Sequence, residues 1–409
     1  MRKEMKDSGI PWIGEIPSHW KTDNIGSLYS QRNEKVSDKD YPPLSVSKMG
    51  VVPQLETAAK TDDGDNRKLV RKGDFAINSR SDRRGSCGIS AYDGSVSLIN
   101  TILTPRTEMN PRFYDWLFHT SVFADEFYKW GHGIVDDLWT TRWAEMKRIS
   151  IVVPPIAEQQ AIADFLDKKC GEIDEMVSLQ EKIVEELKAY KQSVITEAVC
   201  KGLNPDVPMK DSGIEWVGKI PSHWEVSRIK NEIILLDYLR EPISAENREN
   251  KLGLYDYYGA SGVIDKIDDY NVEGKVLLIG EDGANLLMRN LPLVYKADGK
   301  YWVNNHAHIL KVKDENNYNY LAHLFEAGDY TLFITGSAQP KLSQDNLKNF
   351  PIPITREKAE QDAIADYLDT KCSEIDALIS LKQSKIDSLK EYKKSIIYEY
   401  ITGKKEING

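Results

Sequence analysis

A repeated pattern of apolar positions organises this chain. Residues 157–174 read AEQQAIADFLDKKCGEID and residues 359–376 read AEQDAIADYLDTKCSEID, with 14 of 18 positions identical. Both copies continue without glycine or proline and keep apolar residues at a heptad-like spacing, which is typical of a helix that packs along another helix. The pattern predicts a coiled coil formed by the two copies, with an ordinary long core helix as the alternative. The seam positions are Ile173, Met176, Val184, Leu187, Tyr190 and Val194, and Ile375, Leu378, Ile386, Leu389, Tyr392 and Ile396.

A second repeat opens each half of the chain. Residues 5–20 read MKDSGIPWIGEIPSHW and residues 209–224 read MKDSGIEWVGKIPSHW, with 13 of 16 positions identical. Glycine and proline at these positions predict a turn-rich segment, with its tryptophans as anchors and His19 and His223 in structural roles. The chain is therefore a tandem of two similar units. We expect four segments: 1–155 and 205–355, each an opening motif with a globular domain, and 156–204 and 356–409, the two spacer helices.

The globular segments carry short β-type runs followed by one helical pattern. In the first segment the runs are 43–49, 73–78 and 95–104, and the helical spacing covers 111–130. In the second segment the runs are 255–263, 275–280 and 303–312, and a helix is predicted over 318–328. Each segment ends in a proline-containing extended run, 151–155 and 350–354, which leads into the long helix.

Composition and charge restrict the compartment and the mode of binding. No apolar run approaches the 18 residues of a membrane span, and the charged N-terminus is unlike a signal peptide, so we expect no membrane association. Four scattered cysteines without a C-x-x-C pair fit buried thiols in the reducing cytoplasm. A net charge of −10 argues against a protein that coats nucleic acid non-specifically, but it leaves local basic patches open.

One such patch is predicted in the first globular segment. Arginine forks suit phosphates and guanine edges, so this cluster is a candidate DNA contact; a solvated loop whose charges pair with Asp74 and Asp82 is the alternative. In the second segment two tyrosines and a loop before the exit run are weaker candidates, and the tyrosines fit a half-buried sheet equally well. The candidates are Arg67, Lys68, Arg71, Lys72, Arg80, Arg83 and Arg84, and Tyr257, Tyr258, Gln339 and Lys341.

Motifs for catalysis or metal binding are incomplete. Residues 213–219 match the start of a P-loop, but Ile220 replaces the hydroxyl residue that would hold magnesium. His306 and His308 lack a cysteine or carboxylate at ligand spacing, so no metal site is predicted. No nucleophile or acid–base pair stands out, and we expect no catalytic residues.

The repeated blocks, together with YYGASG, LLIGEDGA and GSAQPKLSQDNLK in the second segment, resemble the specificity subunit of type I restriction–modification systems over the whole chain. The resemblance implies an α+β fold in which two pseudo-twofold-related globular α/β target recognition domains are joined by two long antiparallel coiled-coil helices. It implies that each domain reads one half of an asymmetric bipartite target in double-stranded DNA. The helices would set the spacer between the half-sites.

The resemblance also places the chemistry in other chains. It implies docking of two modification subunits, which recruit restriction/translocase subunits. S-adenosylmethionine, ATP and magnesium would bind those partners, and no cofactor would bind this chain. The alternative from another class is a non-catalytic scaffold or a DNA-mimicking inhibitor with two protein partners; a stand-alone methyltransferase is weaker still because its motifs are absent.

Overall fold

The chain folds into two compact units. The computed structural model describes residues 4–54, 64–133, 139–336 and 338–407. The first unit comprises residues 1–181 and 384–409, and the second comprises residues 182–383. Each unit thus contains one half of each long helix, whereas the segments drawn from the sequence set each long helix apart.

The segment before the first long helix is built from short strands and short helices. Strands β1 to β13 are Met5–Asp7, Glu15–Pro17, Lys21–Asn24, Tyr29–Arg32, Lys35–Val36, Leu44–Ser47, Gly50–Pro53, Arg67–Val70, Phe75–Asn78, Cys87–Ile89, Gly94–Val96, Asn100–Pro105 and Ser150–Val153. Helices α1 to α5 are Ile25–Leu28, Pro111–Phe118, Ser121–Lys129, Trp143–Met146 and the long helix Ile156–Lys201.

The rest of the chain repeats this plan. Strands β14 to β25 are Met209–Asp211, Lys219–Pro221, Glu225–Arg228, Ile233–Leu235, Leu252–Gly259, Gly262–Ile267, Val272–Glu273, Val276–Gly280, Val294–Ala297, Lys300–Val303, Ala307–Val312 and Pro351–Ile354. Helices α6 to α11 are Ile229–Glu232, Ala245–Glu249, Asn285–Met288, Tyr318–Ala327, Gln344–Asn349 and the long helix Lys358–Ile401.

A four-stranded antiparallel sheet with the same topology lies in each unit. Its strand order is β10-β9-β12-β4 in the first unit and β22-β21-β24-β17 in the second. The inner strands β9 and β21 are buried along their whole length, which agrees with the apolar runs that predicted them. The exit runs are also strands, since β13 pairs with β3 and β25 pairs with β16.

Two elements predicted as continuous are interrupted. The run 95–104 forms β11 and β12, which the intervening residues 97–99 separate. The helical pattern 111–130 forms α2 and α3, because the Thr120 side chain caps α3 by accepting a hydrogen bond from the Phe123 amide at 3.2 Å. Aromatic spacing continues across the break, since Phe118 and Phe123 pack with ring centroids 4.6 Å apart.

The opening motifs are anchored to the first turn of a long helix. In the first unit, Glu158 accepts hydrogen bonds from Trp20 Nε1 at 2.9 Å and contacts His19 Nε2 at 2.6 Å. In the second unit, Glu360 makes the same two contacts with Trp224 and His223, each at 3.0 Å. The histidines therefore hold structural positions.

The two long helices run antiparallel within each unit. In the first unit, Lys393 contacts Asp174 at 2.6 Å and Lys390 contacts Glu181 at 3.0 Å, so the order along one helix is reversed along the other. In the second unit, Lys191 contacts Asp376 at 2.6 Å. The Lys393–Asp174 and Lys191–Asp376 pairs occupy equivalent positions of the two repeats, so the same ion pair recurs in each unit.

The buried seam differs in part from the predicted one. Met176 and Tyr190 of α5 and Leu378 and Tyr392 of α11 are 40–58% exposed, so their assignment to the seam was wrong. The seam instead contains Val177 and Ile379, one residue further along, and thereby keeps the 3–4 alternation of a true heptad. Its positions in α5 are Cys170, Ile173, Val177, Gln180, Val184, Leu187, Lys191 and Val194, and in α11 Cys372, Ile375, Ile379, Lys382, Ile386, Leu389, Lys393 and Ile396.

Candidate nucleic-acid interface

The predicted basic cluster of the first unit is dispersed by the fold. Arg67 lies in β8 and is 4% exposed; its guanidinium donates to the Ser95 hydroxyl at 2.8 Å and the Ser95 carbonyl at 3.0 Å. Lys68 donates to the Asn100 carbonyl at 2.7 Å. Burial lowers the pKa of both side chains. These two residues stabilise the sheet, so their assignment as DNA contacts was wrong.

The exposed basic residues fall at opposite ends of β9. Arg71 and Lys72 precede the strand, and their amides bond to Asp74 at 2.9 Å and to Asp93 at 2.8 Å. The other three basic residues lie in the loop 79–86, which follows the strand. The sequence places all five close together, but a fully buried strand separates the two groups.

The loop 79–86 presents three arginines. Arg80 and Arg83 both lie 3.5 Å from Asp82, and Arg83 remains 66% exposed. Arg84 pairs with Asp125 and lies 5.5 Å from the centroid of the Tyr128 ring. Exposed ion pairs of this kind contribute little stability, so the guanidinium groups can exchange Asp82 or Asp125 for an external anion at low cost.

This loop is joined to a second one by main-chain bridges. Arg80 and His132 both form antiparallel bridges with Thr140, and the amide of Thr141 donates to the Ser79 carbonyl at 2.9 Å. We call the loops 79–86 and 132–141 the bridged loops of the first unit; residues 134–138 lie outside the described residues.

The second unit builds the same pair from different residues. Asp282 and Thr335 both form antiparallel bridges with Lys341, and the Leu342 amide donates to the Glu281 carbonyl at 2.7 Å. The bridged loops of the second unit are therefore 281–293, which follows β21 as 79–86 follows β9, and 335–342, in which position 337 is not described. Gly336 has a φ of +87°, and a Cβ there would lie 2.4 Å from the Gln339 carbonyl, so this turn requires glycine.

Two of the four candidates in the second unit lie on these loops. Gln339 is exposed, and Lys341 Nζ lies 3.0 Å from Glu281 Oε1 while half of its side chain remains exposed. Tyr257 is 1% exposed; its hydroxyl accepts a hydrogen bond from the Ile243 amide, and Arg248 covers its ring, so its assignment as a DNA contact was wrong. Tyr258 is half-buried against Tyr301, and burial raises its pKa.

A buried charged network under the second pair of loops was not foreseen from the sequence. Asp237, Glu281 and His308 bring three potential metal ligands within 4.8 Å of one another. Arg240 already pairs with both carboxylates, and Lys341 pairs with Glu281, so the charges are balanced without a metal ion. Burial raises the pKa of Glu281, but hydrogen bonds from Arg240 and Lys341 outweigh it and the net shift is downward.

The four residues wrongly assigned to the seam are exposed apolar side chains on the long helices, and Leu179 and Leu381 are exposed as well. The first unit exposes Met176, Leu179 and Tyr392, and the second exposes Leu378, Leu381 and Tyr190. These are equivalent positions of the repeat, so each unit carries a corresponding apolar trio. Exposed apolar side chains therefore recur at corresponding positions of the long helices in both units.

Comparisons with known proteins agree with the resemblance noted in the sequence. Residues 221–391 match the family model described as the type I restriction modification DNA specificity domain. A putative type I restriction enzyme specificity subunit of Haemophilus influenzae is 33% identical over 120 residues, 29% of this chain and 30% of that protein. The putative type I restriction enzyme MjaX specificity subunit of Methanocaldococcus jannaschii is 23% identical over 433 residues, 96% of this chain and 95% of that protein.

A solved structure shares the fold. One chain from a study of complex assembly and conformational transition of the type I R-M system superposes with a TM-score of 0.72 at 14% identity, covering 95% of this chain and 99% of that one. The predicted α+β class with long paired helices is thereby confirmed. Among the helices of the described residues, none is both long and apolar enough to cross a lipid bilayer.

Proposed function

Because the chain belongs to the family of type I restriction–modification specificity subunits, we propose that it is the DNA-reading subunit of such a complex, with each unit reading one half of an asymmetric bipartite target. The observation that carries this proposal is the pair of bridged loops. The same main-chain bridges hold them in both units, while their side chains differ. A constant frame with variable loops is what two readers of different half-sites require.

The exposed side chains of the loops suit different contacts with DNA. In the first unit, Arg80, Arg83 and Arg84 supply forked donors for phosphates and for guanine edges in the major groove. In the second unit, Gln339 supplies the amide that pairs with adenine, and Lys341 supplies a cation for a phosphate or a guanine. Arg71 and Lys72 lie at the other end of β9, so we assign them no base contact and only a possible role at the phosphate backbone of flanking DNA.

The chemistry of methylation and cleavage is assigned to partners. We propose that this chain is non-catalytic and that two modification subunits dock on the two exposed apolar trios, one for each unit. In this proposal S-adenosylmethionine, ATP and magnesium bind the modification and restriction/translocase subunits. The restriction/translocase subunits join through the modification subunits.

The test is to co-express the chain with its modification subunit and to map N6-methyladenine in the host genome by single-molecule sequencing. We expect a gapped motif with two unlike halves, which disappears when this chain is deleted. Arg83→Ala should loosen base preference in one half and Gln339→Ala in the other, each by about 5- to 150-fold, the range for one good base contact. Each variant is thus the control for the other.

Two results would contradict this proposal. A complex that forms but yields no sequence-specific methylation would reject a reading role and favour a scaffold or an inhibitor. If Arg83→Ala and Gln339→Ala loosened the same half, the assignment of one half-site to each unit would be wrong.

A further inference from the structure

A buried histidine lies directly beneath the bridged loops of the second unit. His308 is in β24 and is completely inaccessible to solvent. Its Nδ1 lies 2.6 Å from Asp237 Oδ2, and its Nε2 lies 2.8 Å from the carbonyl oxygen of Leu342. Leu342 directly follows Lys341, so this one side chain joins the sheet to the loop 335–342.

Both contacts of the histidine are with acceptors. Each ring nitrogen therefore lies within hydrogen-bond distance of an oxygen acceptor, a carboxylate on one side and a main-chain carbonyl on the other. Charged groups surround the ring. Asp237 accepts from the Ile309 amide at 2.8 Å and faces Arg240 at 3.3 Å, while Glu281 lies 4.0 Å from the ring and is paired with Arg240 and Lys341. Outside this group, His306 pairs with Asp282 at 2.8 Å.

The peptide of Leu342 is held at both polar atoms. Its amide donates to the Glu281 carbonyl at 2.7 Å, and its carbonyl accepts from His308. The first contact has a counterpart in the first unit, where Thr141 bonds to Ser79. The second contact is absent from the corresponding described strand position. There, Thr101 of β12 faces Ser79 with their hydroxyl oxygens 3.0 Å apart.

Resting on the proposed function, we propose that His308 is a positioning residue for DNA reading by the second unit. It sets the position of Lys341 and Gln339 through the Leu342 carbonyl, and it determines base discrimination in one half-site without touching DNA. Hydrogen bonds to base edges tolerate little displacement of the donors. A loop that loses the hydrogen bond between His308 and Leu342 should therefore discriminate less well between bases.

Two substitutions of His308 each keep one of its two hydrogen bonds and remove the other. In His308→Gln the amide nitrogen takes the place of Nε2 and can still donate to Leu342. In His308→Asn it takes the place of Nδ1, so the bond to Asp237 is kept and the bond to Leu342 is lost. We expect His308→Asn to weaken discrimination in the second half-site by about tenfold, the effect of one buried hydrogen bond, and His308→Gln to retain most of it.

The experiment measures binding of the assembled complex to duplexes that carry single base changes in either half-site. The second half-site is the one that Gln339→Ala loosens. Discrimination in the first half-site, measured in the same samples, should stay unchanged and shows that each variant is folded.

The matched control is His323→Gln. His323 is another largely enclosed histidine of the second unit, with 12% of its side chain exposed, but its partner is Asp369 of α11, at 2.8 Å. Equal losses in His308→Asn and His308→Gln, or a loss in both half-sites, would overturn the positioning role and leave a general effect on stability. A wild-type complex without half-site discrimination would instead reject the proposed function itself.

Discussion

Glu232 shows how a single carboxylate is kept charged inside the second unit. The side chain is fully buried, and its two oxygens accept hydrogen bonds from Arg356 at 2.7 and 3.0 Å. Ser227 and Asn316 donate to it at 2.5 and 3.0 Å. Burial raises the pKa of Glu232, but these hydrogen bonds outweigh that effect and lower it on balance. The charge therefore depends on its partners.

We predict that Arg356→Met lowers the free energy of unfolding of the second unit by about 2 kcal/mol, because a buried carboxylate loses its cation. The wild-type contribution is present above the unfolded glutamate pKa, about 4.3, and is lost as pH falls through the lower folded pKa. In the variant the pKa of Glu232 rises, so the loss begins at a higher pH. Urea unfolding between pH 3 and pH 7 measures both effects.

The control for this prediction uses the other partner of Arg356. Its Nε also contacts Glu225 at 2.5 Å, but that pair is about half exposed. Glu225→Gln should change the unfolding free energy by less than about 1 kcal/mol, as exposed ion pairs do. If Glu225→Gln and Arg356→Met were equally destabilising, the buried carboxylate would not be the source of the effect.

At the scale of single residues, the sequence predicts which contacts a side chain can make better than it predicts where that side chain lies in the fold. Arg67 and Arg83 are alike in the sequence, yet one is tied into a sheet and the other is two-thirds exposed. The difference arises because strands from distant segments of the chain pair with each other, and the local sequence pattern does not indicate which strands pair. For the same reason the network around His308 was not predicted, since Asp237 lies 71 residues away along the chain.

At the scale of elements, the long helices were predictable because their pattern repeats over many turns. Their buried face was predicted less well. Apolar residues occupy both the seam and the neighbouring positions, so Met176 and Val177 are equally plausible from spacing alone. Packing decides between them: Val177 is 9% exposed and Met176 is 40% exposed. The exposed residue is then free for another role.

This difference gives a matched pair of substitutions. Ile173 is completely buried in the seam, so Ile173→Ala should cost about 2–5 kcal/mol of unfolding free energy. Met176→Ala should leave that free energy within about 0.5 kcal/mol, as surface changes usually do, but weaken binding of the modification subunit. Thermal unfolding and affinity measurements on the same two proteins test both statements. Intact binding in Met176→Ala and in the equivalent Leu378→Ala would remove the apolar trios as docking surfaces.

The whole molecule combines a constant frame with two variable surfaces. The helix caps of α2 and α9 are tied to the long helices in the same way: the Asn110 amide donates to Gln159 at 2.9 Å, and the Asn317 amide donates to Gln361 at 2.7 Å. Gln159 and Gln361 are repeat equivalents and each also donates to a backbone carbonyl at 2.8 Å. The residues that join each globular part to the helices are thus shared, whereas the bridged loops differ.

Such a frame predicts that the gap between half-sites depends on the helices alone. Duplicating Val177–Gln180 in α5 and, in step, Ile379–Lys382 in α11 adds four residues to each helix and continues the seam as a stutter. Four residues add about 6 Å, so the gap in the methylated motif should lengthen by one or two base pairs, at roughly 3.4 Å each, with both half-sites unchanged. Duplication in one helix alone is the control and should disrupt pairing and assembly. Genome-wide mapping of N6-methyladenine reads out the gap, and altered half-site bases with a constant gap would refute the helices as its determinant.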